Sequence, residues 1–224
     1  MYWIMFIGVA VLSYIVQYSF QKKFTKASQT PLLNGMSGRD VAVRMLSDHG
    51  IHDVKVISTE GQLTDHFNPT DKTVNLSEAV YAQSHVAAAA VAAHECGHAV
   101  QHATGYFPVK VRSALVPVVS FSSKLVPIVL LAGMLLINVF PSLIWVGIGL
   151  FALTTLFTFV TLPVEIDASR RALAWLERAD IIDPSNEEEA REALRAAAYT
   201  YVVSALSSLA TLIYYLSIAS GRRN

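Results

Sequence analysis

The chain has one cysteine, Cys96, among its 224 residues, so no intrachain disulfide can hold it together and it does not depend on an oxidising compartment. Charge is scarce as well. Lys, Arg, Asp and Glu make up 15% of the residues, where soluble domains carry about a quarter. The formal net charge is zero, which leaves no bulk attraction to nucleic acid. A cleavable leader is also lacking: no positive charge precedes the first apolar run, and no small-residue cleavage site follows it. Hydrophobic residues, by contrast, reach 53%. That balance points to membrane segments rather than to a large soluble core.

Four apolar runs supply those segments. Tyr2 to Phe20 is close to the roughly 20 residues a helix needs to cross a bilayer. Lys22, Lys23 and Lys26 follow it at once, so the positive-inside rule puts the N-terminus outside and residue 21 onward in the cytoplasm. Ser120 to Phe140 and Leu143 to Leu162 are joined by a very short turn at Pro141 and Ser142 and read as a transmembrane hairpin. Lys124, near one edge, can snorkel to the headgroups. The hairpin's outer ends, near Arg112 and Glu165, then share one side of the membrane. The last run, Tyr201 to Ala219, is open between a fourth span and a helix that packs without crossing, because four spans would put Arg222 and Arg223 outside.

Between the runs the pattern changes. Ser37 to Ser47 predicts a short amphipathic helix and His52 to Thr59 a strand. Gln62 to Phe67 and Lys72 to Leu76 predict two short strands around the turn Asn68-Pro69-Thr70-Asp71. Helix begins from Ser77, and Ser84 to Ala103 is rich in alanine, with Gly105 and Pro108 marking its end. Ser185 and Glu188 match a capping box. The expected organisation is an N-terminal transmembrane helix (1–20), a water-exposed domain (21–112), a transmembrane hairpin (113–162), a helical segment (163–200) and a C-terminal apolar helix (201–224).

The chemistry lies in His94-Glu95-Cys96-Gly97-His98, which fits H-E-x-x-H. On a helix, residues four apart differ by about 40° in direction and about 6 Å in rise, so both imidazoles can reach one ion. Zinc lowers the pKa of a bound water to about 7, and Glu95, beside the first histidine, is placed to take the proton as the water attacks a carbonyl. Chance would produce the pattern in roughly one chain in a hundred of this composition. A catalytic zinc needs a third protein ligand and one open position. His102 continues the series, but a straight helix carries it about 12 Å from His94, which makes it a packing or supporting residue. Glu165, directly after the third apolar run, is the better candidate. A carboxylate so close to a span needs a partner, and the hairpin brings it to the face where the histidine helix ends. The alternative for Glu165 is an interfacial ion pair with Arg170 or Arg171. Asp167 either orients a ligand histidine or starts a helix. Cys96 reads as small helix packing, Glu187 to Glu189 as a helix start, and His66 as a loop histidine or a cleft residue.

Asp65-His66-Phe67-Asn68-Pro69, Val74 to Tyr81, Val91 to His102 and Pro163 to Leu173 together resemble the YugP-like neutral zinc metallopeptidases of bacterial membranes. The likeness spans nearly the whole chain. It implies a mainly α membrane protein: a zincin-like, gluzincin-like catalytic domain with a small β element and about four transmembrane helices. It also implies a Zn2+ cofactor on His94, His98 and Glu165, with Glu95 as the base. A more distant similarity, to the membrane-bound heat-shock and prenyl-protein proteases, carries one departure. Those have an aspartate four residues after the third ligand, where this chain has Ser169.

The expected function is therefore an integral-membrane zinc endopeptidase of the plasma membrane, its site at the cytoplasmic face. Its partners would be the bilayer and peptide or protein substrates associated with it, with no nucleic acid. The strand from Lys72 to Leu76 is a candidate edge for pairing with an extended peptide. The alternative is a zinc-binding membrane scaffold or assembly factor without proteolytic activity, for which a closed four-ligand site would be expected.

Overall fold

Alanines let helices approach closely, and the alanine-rich stretch that carries the histidines lies at the centre of the domain. The structure is a computed structural model that describes residues 2–221. In chain order it has helices α1 (Tyr2–Gln29) and α2 (Gly38–Asp48), strands β1 (Lys55–Thr59), β2 (His66–Asn68) and β3 (Thr73–Ser77), and helices α3 (Glu78–Tyr81), α4 (Val86–Ala103), α5 (Phe107–Leu135), α6 (Ser142–Arg178) and α7 (Glu187–Ser220). It is a mainly α membrane protein with a small three-stranded sheet.

Local chemistry sets most boundaries. Ser37 caps α2 by accepting from the Asp40 amide, and Asp40 returns the bond to the Ser37 amide, which closes a capping box. His85 caps α4, its Nδ1 accepting from the Ala88 amide at 3.0 Å. Gly105, at φ 65°, lets the chain reverse after α4, and Pro108 fits the first turn of α5, where no amide is needed. The Ser185–Glu188 capping box does not form. Asp183 instead accepts from the Ser185 and Asn186 amides, and α7 starts behind Asn186. The strand expected from Gln62 begins only at His66. Gly61 and Leu63 take positive φ, and the Asp65 carboxylate accepts from the Ser77 amide instead of letting its own segment extend.

The sheet order is β1-β3-β2, with β1 parallel and β2 antiparallel to β3. β3 is thus the central strand, paired on both sides, and not the free edge expected of Lys72 to Leu76. The outer edge of β2 faces α4 instead, since the Phe67 amide donates to Glu95 there. Seven alanines and three valines of α4 from Val86 to Val100 are buried or nearly so, among them Ala87, Ala88 and Ala89 at 0% exposure. They pack against α2, β3 and the second half of α6 in one core. Trp175 of α6 is buried in it, and its indole Nε1 donates to Asp48 Oδ2 of α2 at 3.0 Å.

Four helices, α1, α5, α6 and α7, are long and apolar enough to cross a membrane. α5 and α6 form the expected hairpin, and its turn is longer than Pro141-Ser142, running from 136 to 141. Gly133 and Gly147 permit a close crossing: a Cβ on Gly133 would meet the Ile144 Cα at 2.7 Å. α6 does not stop at Pro163. It continues as one 37-residue helix, about 55 Å long, from the hairpin turn into the domain. α7 runs beside the hairpin to its far end, where Ala219 joins Ile144 and Ile148 in a second apolar cluster. It is therefore as long within the bundle as the hairpin itself. Arg222 and Arg223, on which the topology conflict rested, lie outside the described residues. At the other end of the bundle, Lys26 pairs with Glu189 at 3.0 Å and Lys23 with Glu192 at 3.6 Å, joining α1 to α7. Trp3 of α1 and Ile128 and Leu135 of α5 are largely exposed, as side chains meeting lipid are.

Trp175→Ala removes the anchor between α6 and α2. It is expected to lower stability by about 3–5 kcal/mol, measured as a shift in reversible unfolding in mild detergent; an unshifted transition would mean that α6 is not docked through this residue.

Candidate metal centre

α4 presents His94 and His98 one turn apart on the face that meets α6. Their rings stand edge to face with centroids 4.8 Å apart. The helices can approach because of Gly97, which lies between the two histidines: a Cβ there would meet the Ala168 carbonyl oxygen at 2.7 Å. That contact brings Glu165, three residues before Ala168 and 2% exposed, onto the histidines. Glu165 Oε2 lies 3.2 Å from His94 Nε2 and 3.5 Å from His98 Nε2. Among the described residues this is the group of three metal-ligating side chains that converges, all its ligand atoms within 4.8 Å of one another.

The opposite ring nitrogens are held from behind. Ser169 Oγ meets His94 Nδ1 at 3.1 Å, and Gln101 Oε1 meets His98 Nδ1 at 3.0 Å. With each Nδ1 engaged, each Nε2 faces the group, which is how supporting residues orient metal-binding histidines. Gln101 is itself fully buried, and its Nε2 donates to the Val164 carbonyl at 2.8 Å and to Asp167 Oδ2 at 3.0 Å. Asp167 is neutralised by Arg170 and Arg171, each at 2.5 Å. It touches neither histidine and lies inside α6 rather than at a helix start, so both readings of Asp167 give way: it acts on His98 through Gln101. The arginines offered as partners for Glu165 are used here instead. Glu165 Oε1 is taken by Arg112 of α5 at 3.1 Å, which leaves Oε2 for the histidine side.

The donor set fits zinc. Two ligand atoms about 2.1 Å from a tetrahedral ion stand about 3.4 Å apart, and the two histidine–glutamate separations straddle that value. Two imidazoles and one carboxylate are also a known catalytic set that leaves a position open. The electrostatics agree. Burial works to lower the pKa of His98, but its hydrogen bond to Glu165 and the charges of Glu95 and Glu165 outweigh burial and hold it above its ordinary value. The group attracts positive charge.

Glu95 sits beside His94 and is 8% exposed, with Oε2 accepting from the Phe67 amide at 2.9 Å. A polar cleft opens over the group and is lined also by His66, His102 and Arg112. His66 is exposed and tied to the Thr64 carbonyl through Nδ1 at 2.7 Å. His102 stays outside the converging set, as its spacing predicts, and packs on the Phe67 ring at 5.4 Å. Cys96 is buried against α2, its thiol donating to the Ala42 carbonyl, and burial pushes that thiol well above its ordinary pKa, so it is inert packing. Sequence reasoning missed Gln101, Ser169 and Arg112 as supports. A glutamine one turn after His98 in an otherwise apolar helix was a signal for the first; the others needed the fold.

The chain matches the family described as "Putative neutral zinc metallopeptidase" over residues 2–220. It is 40% identical over 207 residues to the "Putative membrane protease YugP" of Bacillus subtilis (strain 168), covering 92% of this chain and 91% of that protein. No solved structure matches it. The zinc cofactor implied by the family agrees with the donor set described above.

Two substitutions test that set. Glu165→Ala is expected to abolish stoichiometric zinc, read by elemental analysis of purified protein; full retention would remove Glu165 from it. Gln101→Leu keeps the volume but frees His98 Nδ1, and is expected to weaken zinc about 10–100-fold, measured by competition with a chromogenic chelator.

Proposed function

The chain belongs to the neutral zinc metallopeptidase family, and on that premise we propose that it is an integral-membrane endopeptidase of the plasma membrane that hydrolyses peptide bonds at the cytoplasmic face. The observation that carries this reading is the convergence of His94, His98 and Glu165 beside Glu95 at the floor of an open cleft. Three donors with an open side suit catalysis, whereas a structural zinc is closed by four. The cytoplasmic assignment rests on Lys22, Lys23 and Lys26 at the domain end of α1.

Each residue has work consistent with this reaction. His94, His98 and Glu165 would hold zinc, which when bound acts as a Lewis acid toward water and the substrate carbonyl. Glu95 has Oε2 fixed by the Phe67 amide, so Oε1 takes the proton of the attacking water and passes it to the leaving amine. Ser169 and Gln101 keep both imidazoles aimed, and Arg112 pairs with the second oxygen of Glu165.

The test is cleavage of an unfolded protein in detergent. Glu95→Gln is expected to keep full zinc and lose at least about a hundredfold in rate, the scale of a lost general base. Wild type that carries zinc yet cleaves none of a broad substrate panel, no better than Glu95→Gln, would leave the peptidase reading without support.

A further inference from the structure

Two cavities meet at the metal-ligating group and differ in chemistry. The polar cleft carries His66, His102 and Arg112. The other is a cavity of about 180 Å³ between α1, α4 and α7. Its walls are Phe20 and Phe24 of α1, Ala90 and Val91 of α4, and Leu194 and Ala197 of α7. His94, Glu95, Glu165 and Tyr201 line both. A chain lying in the polar cleft and reaching into the apolar cavity therefore passes over these groups.

The cavity's size and lining select an occupant. An apolar cavity of about 150 Å³ holds a benzene ring, so this one has room for a phenyl or a branched aliphatic group. Most of the polar side chains that line it already have partners. Asp65 accepts from the Ser77 amide and hydroxyl, Ser169 is on His94, Glu165 is on the histidines and Arg112, and Glu95 is on the Phe67 amide. The lining is mostly apolar, so an apolar side chain gains from burial there. The cavity is open on one side and continuous with the converging ligands through His94, Glu95, Glu165 and Tyr201, so a side chain from outside the chain can enter it.

We propose that this cavity is a specificity pocket that receives one bulky apolar side chain, Leu, Met or Phe, from the residue next to the scissile bond. The proposal rests on the peptidase reading above and extends it to the substrate. Ala197, partly exposed on α7, sets the room available.

The test uses the zinc-loaded full chain in detergent and peptide hydroxamates that differ in one side chain, Phe against Ala, with affinity read by calorimetry. The Phe compound is expected to bind at least about tenfold tighter, the scale of discrimination in an apolar pocket. Ala197→Leu should bring the ratio close to one, and the smaller Ala197→Val should lower it part of the way. Leu194→Ala should shift preference toward a naphthyl side chain. Equal affinities in wild type, as when a lipid chain fills the cavity, or an unchanged ratio in Ala197→Leu with full zinc, would overturn the proposal. A second arm maps cut sites in an unfolded protein. Apolar selectivity in binding without any cleavage would sink the peptidase reading and leave the pocket standing. Cleavage with no apolar residue favoured beside the cut would sink the pocket alone.

Discussion

The contact between Gly97 and the Ala168 backbone is what the site depends on. One face of an apolar helix lies against another at a distance that no side chain at position 97 would allow. Because α4 and α6 meet there, a carboxylate from a helix that began in the membrane hairpin lies against two imidazoles 67 to 71 positions earlier in the chain. The surrounding alanines of α4 extend the same principle: small side chains let α2, β3 and α6 all approach one helix. The cost is a core with few large residues, offset by Trp175, Met45 and Leu176, which fill the remaining volume.

Bringing charge to that interface demands compensation. A buried carboxylate without partners would sooner take up a proton than stay ionised. Glu165 is met by two histidines and Arg112, Asp167 by Gln101 and two arginines, and Glu95 by a backbone amide. Glu165, Asp167 and Ser169 lie within about one turn of α6 and serve different neighbours. Glu165 faces the metal-ligating group and Ser169 the back of His94, while Asp167 steadies the glutamine behind His98. Ser169, one turn after Glu165, reaches His94 Nδ1 through its hydroxyl.

The same continuity joins the domain to the membrane. α6 needs no break at Pro163, because the proline removes one N–H donor from the helix, and a helix can carry that loss where neighbouring helices support the turn. α5 carries Pro117 and Pro127 in the same way. The site stands where the helices leave the apolar part of the bundle, near the paired charges of Lys23 and Lys26 with Glu192 and Glu189.

Much of this was legible in the residues. His94, Glu95 and His98 follow from helical spacing, and the spans follow from apolar runs, because both are local and periodic. Glu165 could be offered as the better third ligand because a lone carboxylate beside a span needs a partner, but an ion pair with Arg170 or Arg171 stayed open in the sequence. The supports were not legible. Gln101, Ser169 and Arg112 are ordinary residues until packing aims them, and the edge of the sheet could not be read because strand order depends on pairings far apart in sequence. Local patterns determined which helices form, which of them are long and apolar enough to cross a membrane and which two histidines share a face. Only the tertiary structure decided that α6 runs unbroken past Pro163, that Gly97 admits it to α4, and that Glu165 rather than His102 completes the group. That choice is made by the distance between two backbones, and no single stretch of sequence encodes it.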